Sequence, residues 1–431
     1  MEVNYNRVNF YDFTRDVKPP NRFLVWLQYV LSKLTMPNVP FTYEKIGIEG
    51  LKPPFILLSN HMQFVDFKLT AQITYPLPLC NIVAIDGYTH RAFLLRAIGS
   101  IPKRKFVTEL NTLRSIRRVL DKGAVLSLYP EARYTPIGTL APLPESLGTM
   151  CRRMKVPVVI IKHHGNHLQK PFWDQHRPRR VPLHSVMKLI LTPEQIASMS
   201  SEEVNEALRR EMYYDEYRYW QESGFRITEP YRAEGLHKVL YRCPACNTDF
   251  SMRSSGAELY CKSCGKRWEL GETGFLAAKE GETEFNHVPD WFEWQRGCVR
   301  EEILAGDYFF EDDIELYSLP GVDRYHYLGR GRLRHDLNGF LITGYHNGAP
   351  IRIERKPLSI HGLHVEYDYF RVLKGRDAID ISTENDSFFC FPERQLMLTK
   401  LSFATEEMYS LARQNVRRNL RGRRVKDAAQ A

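Results

Sequence analysis

Apolar residues in the first half of the chain fall into short continuous runs, PFILLS (54–59), AVLSL (124–128) and VPVVII (156–161). Runs of this length bounded by turn residues fit strands buried on both faces, and the stretches between them carry helical spacing. The pattern predicts an α/β domain, a mixed sheet flanked by helices. SSEEVNEALRREMYYDEYRYWQE (200–222) reads as one amphipathic helix closing that domain, with Ser200 or Ser201 as its cap and acidic residues in its first turn. VPDWFEWQRGCVREEI (288–303) reads as a second, connecting helix. Beyond Asp312 the period changes to short alternating or β-branched runs: IELYSL, YHYLGRGRLRHD, FLITGYH, IRIERK, HVEYDYF, AIDIS and SFFCF. Asn338-Gly339 and Asn347-Gly348 are dipeptides that tight hairpins prefer. About seven strands are therefore expected, followed by a helix over SFATEEMYSLARQNV (402–416).

Four cysteines interrupt this layout. Cys243 and Cys246 form CPAC, Cys261 and Cys264 form CKSC, and Gly265 follows the second pair. Paired CxxC motifs at this separation fit a four-thiolate zinc ribbon with each pair on a tight turn, so a structural zinc is expected. Cys80, Cys151, Cys298 and Cys390 are scattered and read as buried thiols. The boundaries that follow are 1–225 for the α/β domain, 226–290 for the ribbon and connector, 291–415 for the β-rich domain and 416–431 for a basic tail.

His61 and Asp66 stand five positions apart immediately after PFILLS. On a regular helix that step leaves two side chains about 140° apart, so they meet only if His61 lies in the strand-to-helix turn. Neutral imidazole there can take a proton from an attacking alcohol, and a carboxylate on its other nitrogen fixes the tautomer. The bland reading is a satisfied buried histidine beside a capping aspartate. GAVLSLYPEAR places Glu131 and Arg133 at a strand end. IGSIPKRK carries Lys103, Arg104 and Lys105 on a loop, with Arg114, Arg117 and Arg118 beyond, a cluster suited to a phosphate or to a solvated basic face. In KHHGNH, His163 and His167 are four apart, a weak metal motif that fits a strand-end loop better.

SNHMQFVD, IGSIPKRK, YPEAR and VPVVII, taken in order, resemble the glycerolipid acyltransferase family over about residues 50 to 195. The resemblance implies His61 as general base with Asp66 as its partner, Glu131 as a third catalytic residue contacting the acceptor, Asn60 as a substrate-binding residue, a phosphate site on Lys103, Arg104, Lys105 and Arg133, and a closing block at Val156 and Pro157. It implies an acyl-CoA or acyl-carrier-protein donor and a lysophospholipid or glycerol-phosphate acceptor. Two blocks depart from the family pattern: Lys105 stands where an arginine is usual, and Ala132 replaces a glycine with Arg133 one place early. The seven strands and final helix similarly resemble a pleckstrin-homology or GRAM-type domain.

The net charge of +9 is uneven, since residues 413–431 supply +6 of it. Such a tail is attracted to anionic lipid or nucleic acid, or is simply solvated. The ribbon lacks a strong basic and aromatic face, which makes nucleic acid an unfavoured partner. The competing reading is a catalytically inactive regulatory or nucleic-acid-binding protein. No run reaches the length needed to span a bilayer. FLVWLQYVLSKL (23–34) fits either an interfacial helix or an ordinary core helix. The first sixteen residues lack the form of a secretory signal, so a cytoplasmic protein peripheral on the membrane is expected.

Overall fold

The computed structural model describes residues 11–107, 109–174, 177–369 and 371–430, with side chains through 418. The chain divides into two compact units at Phe292/Glu293, with Gly321–Arg324 counted in the first. The ribbon shares the first unit with the α/β sheet.

The first unit is built on strands β1 (Phe41–Ile46), β2 (Phe55–Ser59), β3 (Leu79–Ala84), β4 (Ile101–Lys103), β5 (Val125–Leu128), β6 (Val158–His164) and β7 (Leu183–Leu191). Their order is β1-β7-β6-β2-β5-β3-β4. The five from β6 to β4 run parallel, β7 is antiparallel to β6, and β1 pairs parallel with β7. Side chains alternate across the sheet. Ile56 and Leu58 of β2 share a core with Ile116, Cys151 and Leu208 of the helices Leu110–Asp121, Ser146–Met154 and Ser201–Met212. Phe55 and Leu57 share the opposite core with Val65, Leu69 and Ile73 of the helix Val65–Thr74. Cover on both faces is why β2 reads as an unbroken apolar run, and each such side chain contributes about 1.5–3 kcal/mol by leaving water.

The helix expected over 200–222 is two helices, Ser201–Met212 and Glu216–Ser223. Ser200 closes a capping box with Glu203 at the first start. At the second, Asp215 is extended and its carboxylate accepts the Arg218 N–H at 3.0 Å, while the Glu216 N–H bonds Gly138 O at 2.9 Å. An N-cap residue inside a helical pattern thus restarts the helix. The helix Arg22–Leu34 buries only Val25 and Ser32, leaving Phe23, Trp26, Leu31 and Leu34 exposed, which sets it apart from a core helix. No helix among the described residues is long and apolar enough to cross a membrane.

The ribbon is a four-stranded antiparallel sheet of β8 (Met252–Ser255), β9 (Glu258–Cys261), β10 (Arg267–Leu270) and β11 (Leu276–Ala278). Trp268 of β10 packs edge-on to Trp291 with ring centroids 5.0 Å apart.

The second unit holds β12 (Phe310–Ser318), β13 (His326–Asp336), β14 (Gly339–His346), β15 (Ala349–Arg355), β16 (His364–Glu366), β17 (Ala378–Ser382) and β18 (Ser387–Pro392) in one antiparallel sheet of order β15-β14-β13-β12-β18-β17-β16. Asn347-Gly348 turns the hairpin from β14 to β15, whereas the hairpin from β13 to β14 turns on Leu337-Asn338, with Gly339 already paired to Asp336. The last helix, Leu398–Gln430, starts before and ends after the expected span, running on through the basic tail, whose side chains beyond 418 lie outside the described residues, as do residues 1–10 of the N-terminal stretch.

Candidate active site

Because β2 to β6 are parallel, the residues following each strand emerge along one edge of the sheet, where crevices form in α/β proteins. The SNHMQFVD and YPEAR segments meet there with the loop that follows β6. β2 ends at Ser59 and the helix Val65–Thr74 begins six residues later, so His61 occupies the intervening turn and Asp66 the first helical turn. His61 Nδ1 lies 3.0 Å from Asp66 Oδ2. The same oxygen accepts the N–H groups of Met62 (2.6 Å) and Gln63 (3.0 Å), and Oδ1 accepts Asn166 Nδ2 at 2.6 Å. Asp66 is fully buried, and burial pushes its carboxyl up; the His61 bond and the nearby histidine charges outweigh this and hold it below the usual carboxylate range. An ionised carboxylate only accepts, so Nδ1 carries the proton and the ring lone pair sits on Nε2.

Both faces of the imidazole are covered. Tyr129 stacks on it at 3.8 Å between centroids and 15° between planes, and Tyr134 lies at 4.3 Å and 40°. The side chain keeps 20% exposure.

Glu131 is buried and saturated by the protein. Its Oε1 accepts the His61 N–H at 3.1 Å, Oε2 accepts the Ala141 N–H at 2.9 Å, and Tyr214 Oη lies 3.2 Å from both. Burial raises its carboxyl to about 7, against the pull of those donors and of Arg133. Ala132 beside it has φ +56°, a left-handed conformation that costs an L-residue about 1–2 kcal/mol and suits glycine better. Asn60 is equally enclosed: it donates to His163 O at 2.9 Å and accepts the His163 N–H at 2.8 Å, stitching the ends of β2 and β6.

The basic group sits at the far end of the same edge. Lys103 closes β4 rather than lying on a loop, and β4 is three strands from β2, about 14 Å along the sheet at ~4.8 Å per strand. Lys103 Nζ donates to Val107 O at 2.5 Å and lies 4.0 Å from Glu109; Lys105 Nζ is 3.4 Å from Asp86; Arg104 is buried with its guanidinium over Phe13. Arg133 is buried beside Glu131. Arg117 lies on the sheet-packed helix and pairs with Asp121. Val156 and Pro157 immediately precede β6, so they lie at the edge of the sheet opposite His61 rather than closing the site, and Pro157 O accepts the Ile56 N–H at 2.9 Å.

His163 and His167 are both fully buried. His163 lies between Ser185 Oγ (2.8 Å) and Thr70 Oγ1 (3.2 Å), and burial lowers its pKa to about 4, that of His167 to about 3. Neutral rings in apolar surroundings fit a packed strand end, and among the described residues the only metal-competent cluster is the four cysteines.

Sequence reasoning missed Asn166, Tyr129, Tyr214 and Glu216. Asn166 was visible only as part of KHHGNH. Tyr214 and Glu216 were concealed inside a continuous helical pattern, although Asp215 three residues before Arg218 marks the break.

The four cysteine sulfurs all lie within 4.8 Å of one another, with Cys243–Cys264 at 3.7 Å and Cys246–Cys261 at 3.8 Å. A tetrahedron of thiolates about 2.3 Å from zinc has edges of about 3.8 Å. Each knuckle ends on a left-handed residue: Asn247 (φ +58°) donates to Cys243 O at 2.9 Å, and Gly265 (φ +78°) to Cys261 O at 3.0 Å. Only glycine and asparagine visit that region readily.

No family model matches the chain, and no curated protein matches it. Among solved structures it is similar to the crystal structure of the 1-acyl-sn-glycerophosphate (LPA) acyltransferase, PlsC, from Thermotoga maritima, with 16% identity and a TM-score of 0.35 over 44% of this chain and 78% of that one.

Proposed function

We propose that the first unit is an O-acyltransferase that moves a fatty acyl group from acyl-CoA or acyl-carrier protein to a hydroxyl of a lysophospholipid or glycerol phosphate. The observation that carries this reading is the His61–Asp66 pair, held at 3.0 Å through Nδ1, and in the proposed reaction Nε2 is the base. The acceptor O–H gives its proton to Nε2 as its oxygen bonds to the thioester carbonyl carbon. The C–S bond then breaks, and the imidazolium returns the proton to the leaving thiolate. No enzyme nucleophile is needed. Asp66 stabilises the imidazolium, and the tyrosine faces on either side favour a cation between them.

Glu131 acts in this scheme by fixing the main chain of His61 rather than by touching the acceptor, since its oxygens already hold two N–H groups. Lys103, Arg104, Lys105 and Arg133 supply positive potential along the crevice for a phosphate, with Lys105 exchanging Asp86 for the ligand. Cys243, Cys246, Cys261 and Cys264 hold a structural zinc. The exposed apolar residues of Arg22–Leu34 meet a membrane surface, and the β-rich unit is a pleckstrin-homology or GRAM-like recognition module. The direct test is mass spectrometry of products after incubating the protein with each thioester donor and a panel of lysolipids, glycerol phosphates and neutral alcohols. An acylated acceptor dependent on His61 is the expected result; no transfer to any of them sinks the reading.

A further inference from the structure

The break between Met212 and Glu216 has a use. The segment that follows it is bonded to the ribbon on one side and to the crevice on the other. On the ribbon side, Trp220 Nε1 donates to Glu272 O at 3.2 Å and Gln221 Nε2 to Gly274 O at 3.1 Å. His287 Nε2 lies 2.8 Å from Asp215 Oδ2, with both side chains buried, and its Nδ1 lies 3.2 Å from Gln221 Nε2. The turn is shaped for this contact: Gly274 has φ +87°, and a Cβ there would sit 2.8 Å from the Trp220 ring.

On the crevice side the segment makes two separate connections. Tyr214 Oη lies 3.2 Å from both oxygens of Glu131, and Glu131 accepts the N–H of His61. The Glu216 carboxylate accepts the Gly165 N–H at 2.7 Å and lies 3.2 Å from His164 Nδ1, and the next residue, Asn166, donates to Asp66 at 2.6 Å. Gly165 has no room for a side chain, since a Cβ would meet Pro182 O at 2.3 Å, so the loop is held between the strut and the start of β7. One connection ends on the base and the other on its carboxylate.

We infer that Tyr214–Gln221 is a strut through which the four-cysteine ribbon holds His61 and Asp66 in register, with Tyr214, Glu216 and Gln221 as positioning residues. The ribbon's strands are three or four residues long, too short to keep their shape without the metal that the cysteine geometry fits. The turn Gly271–Phe275 joins β10 to β11, so loss of metal frees the very carbonyls that hold Trp220 and Gln221. Metal occupancy in the ribbon thereby sets the order of a site that the metal does not touch.

The role of the strut in catalysis rests on the acyl-transfer reading, so the experiment includes a readout that needs no substrate. Amide hydrogen exchange, followed by mass spectrometry on the full chain, is compared before and after chelation. Exchange should accelerate about tenfold or more in peptides covering 59–66 and 164–169, together with 241–278, while peptides from β12 to β14 stay unchanged. Acceleration confined to 241–278 overturns the inference. Gln221→Ala and Tyr214→Phe provide the second arm, since neither removes a cysteine or a member of the pair. Each should retain the wild-type metal content, raise exchange at 59–66, and lower kcat about tenfold with KM unchanged. Wild-type exchange at 59–66 in both variants overturns the strut even where transfer is normal. A coupled exchange response in a protein that transfers no acyl group sinks the proposed function and leaves the strut standing.

Discussion

Asp66 takes Nδ1 of His61 and two tyrosines cover its faces, so in the proposed reaction the substrate would meet one edge of the ring. His61→Ala should therefore lower turnover about 10²-fold or more while the protein stays folded, with a thermal midpoint lowered by the loss of the ring between the tyrosines and of the partner of buried Asp66. Asp66→Asn should lower both, because Asp66 also receives two backbone N–H groups and Asn166. Near-normal turnover in His61→Ala would remove the mechanism. Glu131 gives a pH test of the same site. Its carboxyl is raised to about 7, against about 4.3 in an unfolded chain. Between those values the folded state binds more protons than the unfolded one, so the stability tied to Glu131 falls as pH rises through that window and levels off above it. Thermal midpoints measured from about pH 4.5 to 7.5 should decline more steeply in the wild type than in Glu131→Gln, and parallel curves would show that the carboxyl is not raised.

At the level of elements, the ribbon depends on its cysteines more than on its core. Elemental analysis of protein purified without chelator should find about one zinc per chain, and its removal should open 241–278 to protease before the β-rich unit. Zinc-free protein with an intact ribbon would refute the site. This part of the chain was legible in the sequence because cysteine spacing is itself a geometric constraint. The same holds for β14 and β15, where Asn347-Gly348 announces the hairpin. The buried strands β2, β5 and β6 were legible as apolar runs, and the His61 turn followed from the strand before it. Periodicity could not show where Glu131 points, because the partners of a buried carboxylate come from residues ten to eighty-three positions away. Nor could it divide 200–222, since the apolar residues on both sides of Tyr213 keep the same helical spacing, and the division depends on bonds from Asp215 and Glu216 to distant loops.

For the whole molecule, the proposed membrane contact would draw on both charge and exposed apolar surface. The chain carries +9, and the helix Arg22–Leu34 leaves Phe23 (62%), Trp26 (47%), Leu31 (50%) and Leu34 (76%) exposed. This helix packs against Val65–Thr74, the helix that carries Asp66, through the stacked rings of Tyr29 and Tyr75, and Lys68 Nζ donates to Thr35 O at 2.6 Å. Phe64, 61% exposed, lies in the same turn as His61. Each of these residues gains about 1.5–3 kcal/mol if fully buried in lipid, and basic residues near an anionic surface add about 1 kcal/mol each. The protein should sediment with vesicles containing anionic phospholipid. Raising salt should weaken that binding without abolishing it, because only the charge contribution is screened. Phe23→Ser combined with Leu34→Ser should reduce vesicle binding about tenfold or more while transfer from a short-chain, water-soluble thioester stays at the wild-type rate. If the double variant binds vesicles as well as the wild type does, the helix is not the contact, and the basic residues alone must account for the membrane.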